Sequence, residues 1–120
     1  MARKRIDEAA GMAAVQRWQV GETDRNTVAT AVRYSLQALA ERVPGKSVEV
    51  RVPPYGAVQC IEGPGHTRGT PPNVIETDAE TWLRLATGAL GWEAAHASGA
   101  VLASGSRANL DALLPVLRLQ

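Results

Sequence analysis

The feature that most constrains the fold is a change of hydrophobic period near the middle of the chain. Over residues 24–43, apolar residues recur at steps of three and four, which is typical of one face of an amphipathic helix. Pro44 ends this pattern, because the residue before a proline is disfavoured in the α region. Over residues 48–52, valine alternates with charged residues, and this period of two predicts a strand with one buried face. The chain is therefore restricted to folds that combine helices with a sheet.

Elements on both sides of this region follow from local signals. Asp7 is predicted to cap a first helix, which ends at Gly21. After the turn residues 53–56, the segment 57–61 is predicted to be the return strand of a hairpin. A third, short strand is expected at 74–76. The N-terminal half thus contributes two helices and then strands.

The C-terminal half begins with a helix signal. Thr77 and Glu80 fit a capping box, in which each side chain accepts a hydrogen bond from the other residue's amide, and the helix ends at Gly88. A short helix is predicted at 92–98 and a strand at 100–103. Ser106 is predicted to cap a final helix that carries a leucine stripe.

This order of elements predicts an α+β domain with helices packed on one face of a small, largely antiparallel sheet of about four to five strands. With 120 residues and a hydrophobic share of 45%, the chain forms a single domain over 1–120, because two domains would be too small to bury useful cores. Residues 1–6 are expected to be a flexible basic tail.

Charge and cysteine content narrow the functional classes. Thirteen Lys and Arg against twelve Asp and Glu give a formal charge of +1, so no strong field favours nucleic acid as a partner. The lone Cys60 excludes an internal disulfide and favours the reducing cytoplasm. Asp7 and Glu8 interrupt what would be a secretory signal, and no apolar run approaches a bilayer span. At most, transient membrane contact is expected.

The segment 62–73 is a candidate for specificity. It contains three glycines and three prolines, so it is predicted to be a long polar loop, and such loops are often functional. His66 and Arg68 in this loop could bind an anionic headgroup, a carboxylate or a phosphate. The alternative is a structural loop in which Arg68 bonds to carbonyl groups or to Glu62.

The C-terminal half resembles the sterol carrier protein family. The features that carry the resemblance are a helix that ends in Thr87-Gly88, a short helix that ends in Ser98-Gly99, and a strand that ends in Gly105 before a leucine-rich segment. The chain is most similar to short, single-domain bacterial members. It departs from the family at Ser106, where an acidic residue is common. The resemblance implies a shell of sheet and helices around an apolar tunnel for sterols, fatty acids or acyl chains, with no chemistry of its own.

This resemblance identifies candidate ligand contacts among the large apolar residues of the C-terminal half. They are Trp82, Leu85, Leu90, Trp92, Val101, Leu110, Leu113, Leu114 and Leu117. The other interpretation of the same residues is that they fill the core, since a leucine stripe at helical spacing is more often core than pocket wall.

No catalytic motif is evident. The sequence has two histidines, His66 and His96, and lacks the metalloprotease, serine hydrolase and phosphate-loop patterns, so no catalytic residue, metal or cofactor is predicted. The predicted function is non-enzymatic binding or transfer of a fatty acid, acyl-CoA or sterol-like ligand by a monomer or homodimer. One alternative is a domain related to thiol-dependent isomerases, with His66, Arg68 and Cys60 around a small anionic substrate. Another is a protein-interaction module with a filled core and an exposed apolar patch.

Overall fold

A computed structural model describes residues 4–63 and 72–118, and in these ranges it contains four α-helices, four strands and one 3₁₀ helix. In chain order they are α1 (Glu8–Gln19), α2 (Arg25–Arg42), β1 (Val48–Val52), β2 (Gly56–Cys60), β3 (Asn73–Thr77), α3 (Ala79–Thr87), α4 (Trp92–Ala97), β4 (Val101–Ser104) and the 3₁₀ helix (Asp111–Leu113).

The first three helices each begin after an aspartate whose side chain accepts a hydrogen bond from the amide three residues later. The distances are 3.2 Å from Ala10 to Asp7, 3.1 Å from Thr27 to Asp24 and 2.8 Å from Thr81 to Asp78. Such caps satisfy amides that have no partner within the helix.

The predicted capping box of Thr77 and Glu80 is wrong by one residue. Thr77 is the last residue of β3, and its hydroxyl donates to the carbonyl of Ala100 at 2.7 Å. Pairing with β4 holds Thr77 in the strand, and Asp78 takes over as the cap of α3.

The sheet is mixed and has the strand order β2-β1-β3-β4. The pairs β1–β2 and β3–β4 are antiparallel, and the central pair β1–β3 is parallel. The α+β class is therefore confirmed, whereas the largely antiparallel sheet of four to five strands is corrected to four strands with one parallel pair. The physical reason is that β2 ends and β3 begins beside Val48, on opposite sides of β1, so that β3 runs in the same direction as β1 along its other edge.

Alternation along β1 separates the two faces of the sheet. Val48, Val50 and Val52 are fully buried, and Glu49 and Arg51 lie on the other face, where they form an ion pair. Helices cover the valine face. Among the described residues, the buried apolar side chains form one cluster that joins this face to α1, α2, α3 and α4.

Ser47, just before β1, is bonded to both ends of the connection between β2 and β3. Its amide and hydroxyl donate to the carbonyl of Ile61 at 3.1 and 2.7 Å. Its carbonyl accepts from Nδ2 of Asn73 at 2.8 Å, and Oδ1 of Asn73 accepts from the amide of Arg107 at 2.9 Å. Asn73 is buried, so these bonds satisfy polar atoms that water does not reach.

The predicted final helix is wrong. After β4, only Asp111–Leu113 form a 3₁₀ turn, and the chain then turns extended from Leu114. The amides of Val116 and Leu117 both donate to the carbonyl of Ala86 at 3.0 Å. This carbonyl lies in the last turn of α3, where helix carbonyls lack partners, and Pro115 disfavours a continuous helix. The leucines predicted as a helical stripe still reach the core, but from an irregular segment.

Candidate ligand-binding site

A groove of about 550 Å³ lies between α2 and the edge strand β2. Its floor includes Leu36, which belongs to the buried core, and Tyr55 and Val58, which are partly buried against that core. Ile6 forms part of its wall. The groove therefore opens onto apolar surface that is continuous with the interior, as a site for an apolar ligand requires.

The rim of this groove is cationic. Nε of Arg33 donates to the carbonyl of Tyr55 at 3.1 Å, which holds the guanidinium at the edge of the groove. Lys4 also lines the groove, whereas no acidic residue is among its described lining residues. Within residues 4–63 and 72–118, neither cation forms an ion pair. An anionic group on a ligand would therefore be favoured at this rim.

Residues 4–6 run along α2 and form one side of the groove. The Ile6 amide donates to Oε1 of Gln37 at 2.8 Å, and Nε2 of Gln37 donates to the Ile6 carbonyl at 2.9 Å. Arg5 binds Glu41 through two hydrogen bonds of 2.7 and 2.9 Å, and these bonds lower the pKa of the Glu41 carboxyl. We call residues 4–6 the N-terminal strap, because side chains of α2 hold them in place.

The nine candidate ligand contacts of the C-terminal half are brought together in the hydrophobic cluster. Six are buried: Trp82, Leu85, Trp92, Val101, Leu110 and Leu117. The other three, Leu90, Leu113 and Leu114, are partly buried and pack against this cluster. None of the nine is among the described residues that line the α2–β2 groove.

The groove residues were not singled out from the sequence. Val58 lies in a predicted strand and Leu36 in a predicted amphipathic helix, so their apolar character was visible. Their proximity was not, because it depends on how α2 crosses the sheet next to β2. One sequence signal for the groove was available: Tyr55, a large aromatic residue, stands among turn residues directly before the predicted strand 57–61.

Cys60 does not have the surroundings of a reactive thiol. The side chain is fully buried at the end of β2, and burial raises its pKa to about 11. Reactive cysteines instead have lowered pKa values and some exposure. His66 and Arg68 lie outside the described residues, so their predicted contact with an anionic headgroup stays a prediction.

In residues 4–63 and 72–118, no group of three or more histidine, cysteine and acidic side chains is placed to hold a metal ion. In the same part of the chain, no helix combines the length and apolar character needed to cross a bilayer.

The fold and the site define a class of protein. It is a small α+β domain with helices on one face of the sheet and an apolar groove beside α2. The sequence matches the family described as bacterial SCP ortholog over residues 24–116, which is most of the chain. The protein therefore belongs to this sterol carrier-like family, and the resemblance noted in the sequence is confirmed. The curated proteins contain no match to the chain.

Proposed function

We propose that this protein binds and transfers a lipid or another apolar ligand, and that it catalyses no reaction. The observation that carries this proposal is membership of the sterol carrier-like family over residues 24–116. The α2–β2 groove supports it by offering about 550 Å³ of space with an apolar floor. We also propose a cytoplasmic location, with contact to membranes only during transfer.

The chemistry of the groove favours a ligand with an apolar chain and an anionic end. An acyl chain would lie against Leu36, Tyr55 and Val58, and its burial contributes about 25 cal/mol per Å² of apolar surface. After the costs of association, this supports binding in about the micromolar range. A carboxylate, or the phosphates of acyl-CoA, would lie at Arg33 and Lys4. A neutral sterol would leave both cations without a partner.

We also propose that the nine candidate residues of the C-terminal half contact the ligand, at a greater depth in the protein than the residues of the α2–β2 groove. Leu36 belongs to the same cluster of side chains as Trp82 and Leu110. An acyl chain that enters past the groove floor would therefore meet these residues next. How far the acyl chain enters determines whether it contacts the groove residues alone or also the nine candidate residues.

The test is native mass spectrometry and a binding titration with palmitate, palmitoyl-CoA and cholesterol after delipidation. We expect palmitate to bind, and Val58→Glu to weaken its binding at least tenfold, because a carboxylate would face the acyl chain. Val20→Glu is the matched control, since Val20 is 79% exposed and is not among the described residues that line the groove. Failure of all three ligands to bind would overturn the proposal.

The location is tested separately by crosslinking with a diazirine-labelled fatty acid. Labels on Ile6, Tyr55 or Val58 would place the chain in the groove. Labels on Trp82 or Leu110 would place it in the core, as the sequence predicts. Arg33→Gln should weaken palmitate binding and leave binding of an uncharged alcohol of the same length unchanged.

The thiol-dependent alternative is not proposed. It needs an ionised and accessible Cys60, whereas the structure buries this thiol and burial raises its pKa.

A further inference from the structure

A second depression lies on another face of α2. It has a volume of about 540 Å³, lies between α1, α2 and residues 116–118, and shares none of its described lining residues with the α2–β2 groove. Its floor consists of the Tyr34 ring, Val116 and Leu117, which are buried, and of the partly buried Met12 and Ala38. The floor is therefore apolar.

The hydroxyl of Tyr34 is an unused hydrogen-bond donor in this depression. Tyr34 is only 8% exposed, and within the described part of the chain no protein group bonds to its hydroxyl. Its ring is held in place by α1, because it packs directly on Gly11. The phenol is protonated at neutral pH and can donate to a ligand, and burial raises its pKa further.

The charges around the depression leave a cationic excess. Arg5 is neutralised by its two bonds to Glu41. Arg42 makes one long bond of 3.3 Å to the carbonyl of Pro115. Among the residues that the structure covers, neither Arg42 nor Arg118 forms an ion pair. Glu8 is the remaining acid in the lining, so two guanidinium groups face one carboxylate.

We propose that this depression binds an oxyanion, a phosphate or a carboxylate, that is carried on an apolar group. The oxygens accept hydrogen bonds from the Tyr34 hydroxyl and from the guanidinium groups of Arg42 and Arg118, which suit oxyanions geometrically. The apolar group lies on Met12, Val116 and Leu117. The proposed site is separate from the α2–β2 groove, because the two share no described lining residue, and it extends the proposed ligand chemistry to a second place on the protein.

Calorimetric titration of the full chain with octyl phosphate and with octanoate, below their micelle concentrations, tests this inference. Inorganic phosphate alone and octanol alone are the partial ligands, and each should bind at least tenfold more weakly than octyl phosphate. Tyr34→Phe should weaken octyl phosphate binding about tenfold, since a hydrogen bond to a charged group is lost. Arg118→Gln should have a similar effect. Arg25→Gln is the matched control, because Arg25 is exposed and outside this lining.

Thermal unfolding of Tyr34→Phe checks that the ring still packs, and Arg118→Gln gives an independent test because Arg118 is exposed. Parent-like affinity in both variants would overturn the proposal. So would loss of octyl phosphate binding in Arg33→Gln alone, which would assign the ligand to the groove. Equal affinity for inorganic phosphate would overturn the role of the apolar floor and identify free phosphate as the ligand. Absence of octyl phosphate and octanoate binding with retained palmitate binding would overturn this inference and leave the proposed function intact.

Discussion

Trp82 and Ser35 are joined by a hydrogen bond in the centre of the protein. Nε1 of Trp82 donates to Oγ of Ser35 at 2.8 Å, and both residues have 0% exposure. The Ser35 hydroxyl in turn donates to a backbone carbonyl of its own helix, Ala31 at 2.8 Å. This chain of bonds ties α3 to α2 and satisfies an indole N–H that water cannot reach.

Ser35→Ala is expected to destabilise the protein by about 1–3 kcal/mol, because it leaves the buried indole N–H without an acceptor. Urea unfolding followed by circular dichroism measures the loss. Ser104→Ala is the control, since Ser104 is exposed at the end of β4. In a double-mutant cycle with Trp82→Phe, the two losses should not add, because either substitution removes the same bond. Additive losses would contradict the assigned bond.

Gly11→Ala is expected to destabilise the protein, although alanine normally stabilises a helix interior. A Cβ at Gly11 would lie 2.1 Å from Cγ of Tyr34, at the base of the ring, where the side chain cannot swing away. The helices α1 and α2 must then separate, at a cost of about 1–3 kcal/mol. Thermal unfolding gives the sign directly. Gln16→Ala is the control for alanine itself, because Gln16 is exposed in the same helix. A stabilised Gly11→Ala variant would refute the close packing.

Stability should fall in alkaline solution because of Cys60. Burial raises the pKa of this thiol from 9.0 to about 11, so the folded state holds its proton to higher pH than the unfolded state. The contribution is complete below about pH 9 and is lost as pH rises from 9 towards 11, in total about 3 kcal/mol. Urea unfolding at pH 8 and pH 10.5 measures the loss. In Cys60→Ala the decrease between pH 8 and pH 10.5 should be smaller by about 2 kcal/mol, the part of the total that is lost by pH 10.5, and an identical decrease would show that other groups cause it.

Gln37→Leu should release the N-terminal strap. The substitution removes both bonds between the Gln37 amide and Ile6, and the remaining Arg5–Glu41 pair is exposed and contributes little. We expect the Ile6 amide to exchange its hydrogen about tenfold faster, as measured by NMR, with little change in global stability. Gln16→Leu, on the exposed side of α1, is the control. Unchanged exchange at Ile6 would show that other contacts hold the strap.

The sequence predicted the helices and strands well where local periodicity is strong. The amphipathic pattern of 24–43 became α2 (Arg25–Arg42), and the alternating valines became β1. Local sequence signals gave the wrong conformation where a hydrogen bond to a residue distant in the sequence determines the backbone. Thr77 lies in a strand because its hydroxyl donates a hydrogen bond to the carbonyl of Ala100. Residues 114–118 are not helical because the amides of Val116 and Leu117 bond to the carbonyl of Ala86 instead. Neither partner is visible in a local window.

The candidate site was less accessible to sequence reasoning than the fold. The family resemblance correctly pointed to the sterol carrier-like family, and the nine core residues are assembled as a cluster. The α2–β2 groove was missed because it brings together Ile6, Leu36 and Val58, which are far apart in the sequence. Nor could the sequence reveal the parallel pairing of β1 and β3, since both strands show the same alternation in either direction.

Ser47 bonds to Ile61, just after β2, and to Asn73, the first residue of β3, and these bonds bear on how the fold tolerates sequence changes between them. Because Ile61 and Asn73 are both fastened to the same residue, the alignment of β2 and β3 on β1 is fixed outside the segment 62–72. Insertions or exchanges within that segment would then leave the strand register untouched. Ser47 is thus the point from which both neighbouring strands are aligned, and variation in the sequence of 62–72 is expected to spare that alignment.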